Sequence, residues 1–96
     1  MKRIVMFRLR LYIAGGTQNS AQAVANLTAL CRIHLRDRYN IELVDVLRDP
    51  KRALEDQIFM TPTLVKLAPG PVEKIVGTLN EPQFVLNALG VPLLAS

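Results

Sequence analysis

The sequence predicts an α/β domain built on a mixed four-stranded sheet, in the order β-α-β-α-β-β-α. Three observations carry that reading. Residues 3–13 alternate apolar and polar side chains, the pattern of a half-buried strand. From Ser20 to Arg36, apolar residues recur at helical spacing. Finally, the "PGP" between "TLVKLA" and "PVEKIVG" is too short for a crossover, so those two segments form an antiparallel hairpin.

In the first strand Phe7, Leu9, Leu11 and Ile13 share one face, and Arg8, Arg10 and Tyr12 the other. "AGG" ends it in a sharp turn. The first helix follows, with Ala23, Val24, Leu27, Leu30, Cys31, His34 and Leu35 as its core-facing stripe. Asn19 is its expected N-cap, with Gln22 completing a capping box. Arg32, Arg36 and Arg38 gather at its C-terminal end, where the helix dipole favours cations. "NIELVDVL" (40–47) is rich in branched apolar residues and reads as a mostly buried second strand.

Asp49 as cap and Pro50 at the first helical position open a short second helix, reaching about Ile58. "TLVKLA" and "PVEKIVG" are the third and fourth strands. Asn80 opens the last helix, with Pro82 in its first turn, and Gly90 with Pro92 closes it. The strand–helix–strand start is a right-handed unit with parallel strands. Followed by a second crossover, a hairpin and a helix, it gives the thioredoxin-like arrangement. The second and fourth strands are then the sheet edges. The first and third helices cover one face and the short second helix the other.

The 96 residues fit one domain, 1–96, and a 50% hydrophobic content supports a packed core. No apolar run approaches the roughly 20 residues that span a bilayer, and Arg8 and Arg10 break up the resemblance of the N-terminus to a signal peptide. The expected location is the cytoplasm. The net charge of +4 comes without a lysine/arginine cluster of the kind that tracks a phosphate backbone, and aromatics for base stacking are few. A basic balance of this kind points to an ordinary solvated surface or an acidic protein partner ahead of nucleic acid.

Thiol chemistry is the first activity this arrangement brings to mind, because redox relatives carry a dithiol at the start of the first helix. Here that place is held by "TQNS", Thr17–Ser20, whose hydroxyls and amides cap but do not cycle. The single cysteine excludes an internal disulfide, and one cysteine with one histidine cannot build a structural zinc site. Cys31 falls on the buried stripe and reads as a small hydrophobe. His34 is one turn on, with no third group to orient it, so a catalytic pair is disfavoured. No phosphate loop or metal cluster is apparent and no cofactor is expected. Asp45, Asp49, Glu55 and Asp56 read as a strand end, a cap and a solvated helix face. The alternatives kept open are a single-cysteine oxidoreductase using Cys31 and a nucleic-acid binder. Pro62 in "FMTPTL" stands where such folds place a cis-proline, so a cis Thr61–Pro62 bond leading into the third strand is expected.

"LRLYIAGGTQNSAQAVANL", "ELVDVLRDP" and "MTPTLVKLAPGPVEKIVGTL", in this order and spacing, resemble the KaiB family of circadian-clock proteins over essentially the whole chain. The resemblance implies a non-enzymatic partner of KaiC, a hexameric ATPase and autokinase, bound at its N-terminal ATPase ring and modulating its phosphorylation cycle. It also implies KaiA, captured at the second-strand edge, or a histidine kinase as further clock components, and a homo-oligomeric form, dimer or tetramer. The family switches between a ground state and a thioredoxin-like state that binds KaiC, so affinity scales with the competent fraction. Lys66 matches a basic family position implicated in KaiC binding; the alternative for it is a solvated lysine on the strand face. Gln22 and Glu73 stand where the cyanobacterial clock protein carries basic residues. Pro62, Pro69, Gly70, Pro71, Ala88 and Gly90 are the residues expected to bear on conformation. Gly70 replaces the middle one of three family prolines, and Ala88 and Gly90 replace a glycine and an aspartate. Alanine favours helix over glycine by about 1 kcal/mol, and Gly90 suits a C-cap; both changes favour the thioredoxin-like state as the main form.

Overall fold

The computed structural model describes residues 5–91. Its elements run β1 (Phe7–Ile13), α1 (Gln18–His34), β2 (Tyr39–Asp45), α2 (Pro50–Glu55), β3 (Thr63–Ala68), β4 (Glu73–Val76) and α3 (Pro82–Leu89). The sheet order is β2-β1-β3-β4, with β1 parallel to β2 and antiparallel to β3, and β3 antiparallel to β4. The start of the expected first strand, at residues 3 and 4, and Pro92 lie outside the described residues.

The alternation of β1 sorts the molecule into two layers. Phe7, Leu9 and Leu11 join Leu64 of β3 and Ile75 of β4 beneath Ala23, Leu27, Leu30 and Cys31 of α1 and Val85, Leu86 and Leu89 of α3. Tyr12, Val44 and Val65 face the other way, against Ala53 and Ile58 in and after α2. The α1 stripe expected from periodicity is the buried one: Ala23, Leu27, Leu30, Cys31 and Leu35 are buried, and Val24 packs partly against them.

The helix ends follow backbone chemistry. α2 stops at Glu55, short of Ile58, because Gln57 turns left-handed (φ 57°) and the Ile58 amide closes back on the Ala53 carbonyl at 2.8 Å. α3 ends likewise: Gly90 takes φ 76° and the Val91 amide reaches the Leu86 carbonyl at 2.9 Å. Glycine suits this left-handed position, where a side chain is strained.

The N-termini differ from expectation. Thr17, not Asn19, is the N-cap of α1, Glu81, not Asn80, precedes α3, and Asp49 makes no side-chain cap bond to α2. Thr17 and Glu81 likewise make no side-chain cap bond. The largest correction concerns β2, which is half-buried to exposed where a mostly buried strand was expected; Val44 is its one buried residue. It is an edge strand, and α1 leaves its outer face only partly covered, with Tyr39 and Ile41 partly buried and Leu43 open.

Leu27, on the inner face of α1, is essentially inaccessible. Leu27→Ala is expected to lower unfolding stability by about 2–5 kcal/mol in urea titrations.

Candidate functional site

The β1/β3 register pairs Tyr12 with Thr63, so Pro62 enters the sheet at the end where β1 leads into the loop before α1. Thr61–Pro62 is cis, as are Ala68–Pro69 and Gly70–Pro71. Pro62 precedes the first residue of β3, so its missing N–H removes no ladder donor there, while its carbonyl accepts the Gly77 amide at 2.9 Å. Thr63 Oγ1 donates back to the Met60 carbonyl at 2.6 Å.

The neighbouring "TQNS" loop is closed on itself. Thr17 Oγ1 donates to the Ala14 carbonyl at 2.8 Å, and buried Ser20 Oγ accepts the Ala14 amide at 3.0 Å. Asp45 accepts amide protons from Gly15 at 3.2 Å and Leu47 at 2.9 Å. The carboxylate lies so near Gly15 that a Cβ there would collide with it. Cys31 is only 1% exposed, and burial pushes its thiol up to about 11. The reading of Cys31 as a packed hydrophobe therefore matches its surroundings. Among the described residues no group of three metal-binding side chains occurs.

Charge instead gathers on the α2 side of the sheet. Arg10 on β1 pairs with Glu42 on β2 (Nε to Oε1, 2.7 Å) and with Asp56 just past α2 (Nη1 to Oδ2, 3.0 Å). Arg52 on α2 holds the second Glu42 oxygen at 2.9 Å. The hydroxyl of fully buried Tyr12 donates to Asp56, and Lys74 Nζ donates to the Asp56 carbonyl at 2.5 Å. Asp56 is thus corrected from a solvated helix-face acid to the anchor fixing α2 over β1. Its carboxyl is held below the usual range, first by the Tyr12 hydroxyl and then by Arg10. Burial, and then the bond to Asp56, raise the Tyr12 phenol. Glu42 is drawn down to about 2 by Arg52 and Arg10. Sequence reading missed this network because Arg10 and Asp56 are 46 residues apart; the polar parity of Arg10 and Tyr12 on β1 was its only trace.

Lys66 is not a solvated lysine. It shares its sheet face with Leu64, is 4% exposed, and its Nζ donates to the Leu89 carbonyl at 3.1 Å. The C-terminal end of α3 lies over this end of β3 and covers it. A partner contact through Lys66 would need its side chain at the surface. Ala88 packs partly against the core and Gly90 caps α3, whereas Pro69, Gly70 and Pro71 form the β3–β4 turn, Gly70 and Pro71 exposed. The remaining conspicuous feature is apolar exposure. Phe59 is 84% exposed, and with Met60, Val76 and Lys74 it lines one shallow depression beside β4; Leu47 and Leu54 are also open.

The described residues define a thioredoxin-like domain with no dithiol at the start of α1 and its single cysteine buried. The KaiB domain pattern matches residues 10–91, and the chain belongs to the KaiB family. The circadian clock protein KaiB3 of Synechocystis sp. is 45% identical over 91 residues, covering 95% of this chain and 86% of the relative. The circadian clock oscillator protein KaiB of Acaryochloris marina is 42% identical over 86 residues, 90% of this chain and 81% of its own length. Among solved structures, the N-terminal domain of Synechococcus elongatus SasA aligns with a TM-score of 0.75 at 18% identity, over 93% of this chain and 84% of that domain. Mitochondrial thioredoxin 3 of Saccharomyces cerevisiae aligns with 0.71 at 20% identity, over 88% and 76%. At such identities these two speak for the fold alone. No helix among the described residues is long and apolar enough to cross a membrane.

Two outcomes follow. A carboxyl depressed on folding stabilises above its ordinary pKa and loses that contribution as pH falls through the depressed value. Glu42→Gln should therefore cost under about 1 kcal/mol at neutral pH, its pair being 44% exposed on the Glu42 side. That difference from the parent should shrink below roughly pH 4.3 and vanish near pH 2, as read by denaturant titration across pH. In addition, the folded protein should resist thiol labelling at pH 8, with full labelling of Cys31 appearing only in denaturant.

Proposed function

We propose that this protein is a non-enzymatic regulator that binds the ATPase ring of a KaiC-type hexameric ATPase and autokinase, modulating its phosphorylation cycle in a circadian or related timing pathway. The observation that carries this is the KaiB-domain match over residues 10–91. The thioredoxin-like arrangement supports it, since that is the state the family resemblance associates with KaiC binding. The surface agrees with a binding role: large apolar side chains stand open at Leu47, Leu54, Phe59, Met60 and Val76, beside basic Arg48, Lys51 and Lys74. KaiA and a histidine kinase are further partners on this reading, and its compartment is the cytoplasm. The single-cysteine oxidoreductase alternative loses support from the burial of Cys31 and its raised thiol.

Size-exclusion chromatography with the cognate KaiC, with and without ATP, tests the proposal, alongside the mass of the free protein, which gives its oligomeric state. Co-elution in at least one nucleotide condition is expected. Separate elution in both would overturn the reading.

A further inference from the structure

A lysine in the core layer of a small domain needs a reason. Lys66 sits one register step from the apolar centre: it pairs with Leu9 of β1 on one side and Glu73 of β4 on the other. Leu9 and Leu64, on the same face, are both in the α1/α3 core. The ammonium could have swung to the edge-strand acid opposite it. Its described hydrogen bond goes to the Leu89 carbonyl instead, 3.1 Å away. Leu89 is the last residue of α3, where carbonyls lack intrahelical donors and the helix dipole is negative. Gly90, in its left-handed turn, brings the chain across the amine; a Cβ built there would stand 3.9 Å from Nζ. Val85, Leu86, Leu89 and Val91 are buried around this end of the helix.

We propose that Lys66 is a positioning residue, an internal latch from β3 that fastens the carbonyl end of α3 to the sheet. It acts on α3, not on a partner. Resting on the proposed function for its second half, the inference adds that charge changes at position 66 alter KaiC capture by releasing α3, with no contact between Lys66 and KaiC.

Lys66→Met keeps the length and packing of the stem and removes the donor, leaving the Leu89 carbonyl without it. Native-state amide hydrogen exchange should then quicken about tenfold or more at Leu89, Gly90 and Val91, with Leu9 and Leu11 amides in β1 little changed. Lys66→Arg, which keeps a cationic donor, should restore much of the protection. In the unsubstituted protein, nitrogen-15 spectra should show the Lys66 ammonium protons exchanging with solvent far more slowly than those of exposed Lys51; this stands even where Lys66→Met fails to fold. An ammonium exchanging as fast as that of Lys51, or an α3 end no less protected in Lys66→Met, overturns the latch. Pull-down with KaiC separates the two halves. Lost capture with unaltered α3 protection would make Lys66 a direct contact and refute the proposal. Retained capture with a loosened α3 would keep the latch and refute its link to binding. Failure of the parent protein itself to capture KaiC would count against the proposed function and leave the exchange result standing.

Discussion

β1 is hydrogen-bonded along both edges and covered on both faces, and the placement of everything else follows from that double burial. It pairs with β2 from Phe7 to Ile13 and with β3 from Arg8 to Tyr12. Phe7, Leu9 and Leu11 seat α1 and α3, while Arg10 and Tyr12 on the opposite face hold Asp56 and with it α2. A slip of one residue would turn Arg10 and Tyr12 into the α1/α3 layer and carry the leucines to the α2 side, away from their helices. Sheet register and the seating of both helical layers are therefore one constraint.

The two layers are held by different forces. On the α1/α3 side the contacts are mainly apolar, joined by the Asn26 amide donating to the Thr78 carbonyl at 2.8 Å, and Lys66 is the single buried charged side chain among the described residues. On the other side α2 has six residues, too few for a helix to persist alone in water. Ala53 and Ile58 give it a small apolar footing against Tyr12, Val44 and Val65, and the Arg10–Glu42–Arg52 and Arg10–Asp56–Tyr12 bonds fix its orientation. Part of that network lies near solvent and is open to screening by salt. The short helix also spans from β1 to edge strand β2 through Glu42, so displacing α2 would disturb the edge as well.

Element order and the β3–β4 hairpin were legible because each rests on local pattern: alternation in β1, helical spacing in α1, the short "PGP" turn, the glycine stop at position 90; the assignment of helices to faces then followed from the thioredoxin-like arrangement that this order spells. The burial of Cys31 was legible for the same reason, from its place on the α1 stripe. What escaped the sequence depends on contacts between distant segments. Nothing near Asp56 announces Arg10 or Tyr12. The apolar composition of 40–47 signals burial, and although the element order already made β2 a sheet edge, how far its outer face stays open depends on the reach of α1. Lys66 is the sharpest case. A lysine in a strand reads as solvated, and its burial arises because α3, returning from β4, lays its last turn over β3. The expected caps at Asn19 and Asn80 slipped because several adjacent polar residues can each serve as an N-cap, and loop geometry chooses among them.

The end of the sheet where thiol chemistry would sit is chemically quiet in a specific way. The polar groups of the loop before α1 are turned onto one another: Thr17 and Ser20 onto Ala14, Asp45 onto Gly15 and Leu47. The single thiol, Cys31, is about three turns further along α1 and sealed. Meanwhile Phe59, Met60 and Val76 stand outward beside β4, and Leu47 and Leu54 are open around α2. A site that works by reaction keeps its polar groups poised and its apolar ones packed. Here the polar groups of the loop before α1 are satisfied among themselves and apolar side chains are left open, while His34 keeps a buried Nδ1 without a partner among the described residues. On the proposed binding role, free energy would come from apolar burial on contact, and the ion network that holds α2 and the Lys66 bond at the end of α3 would keep the outer elements in place for it.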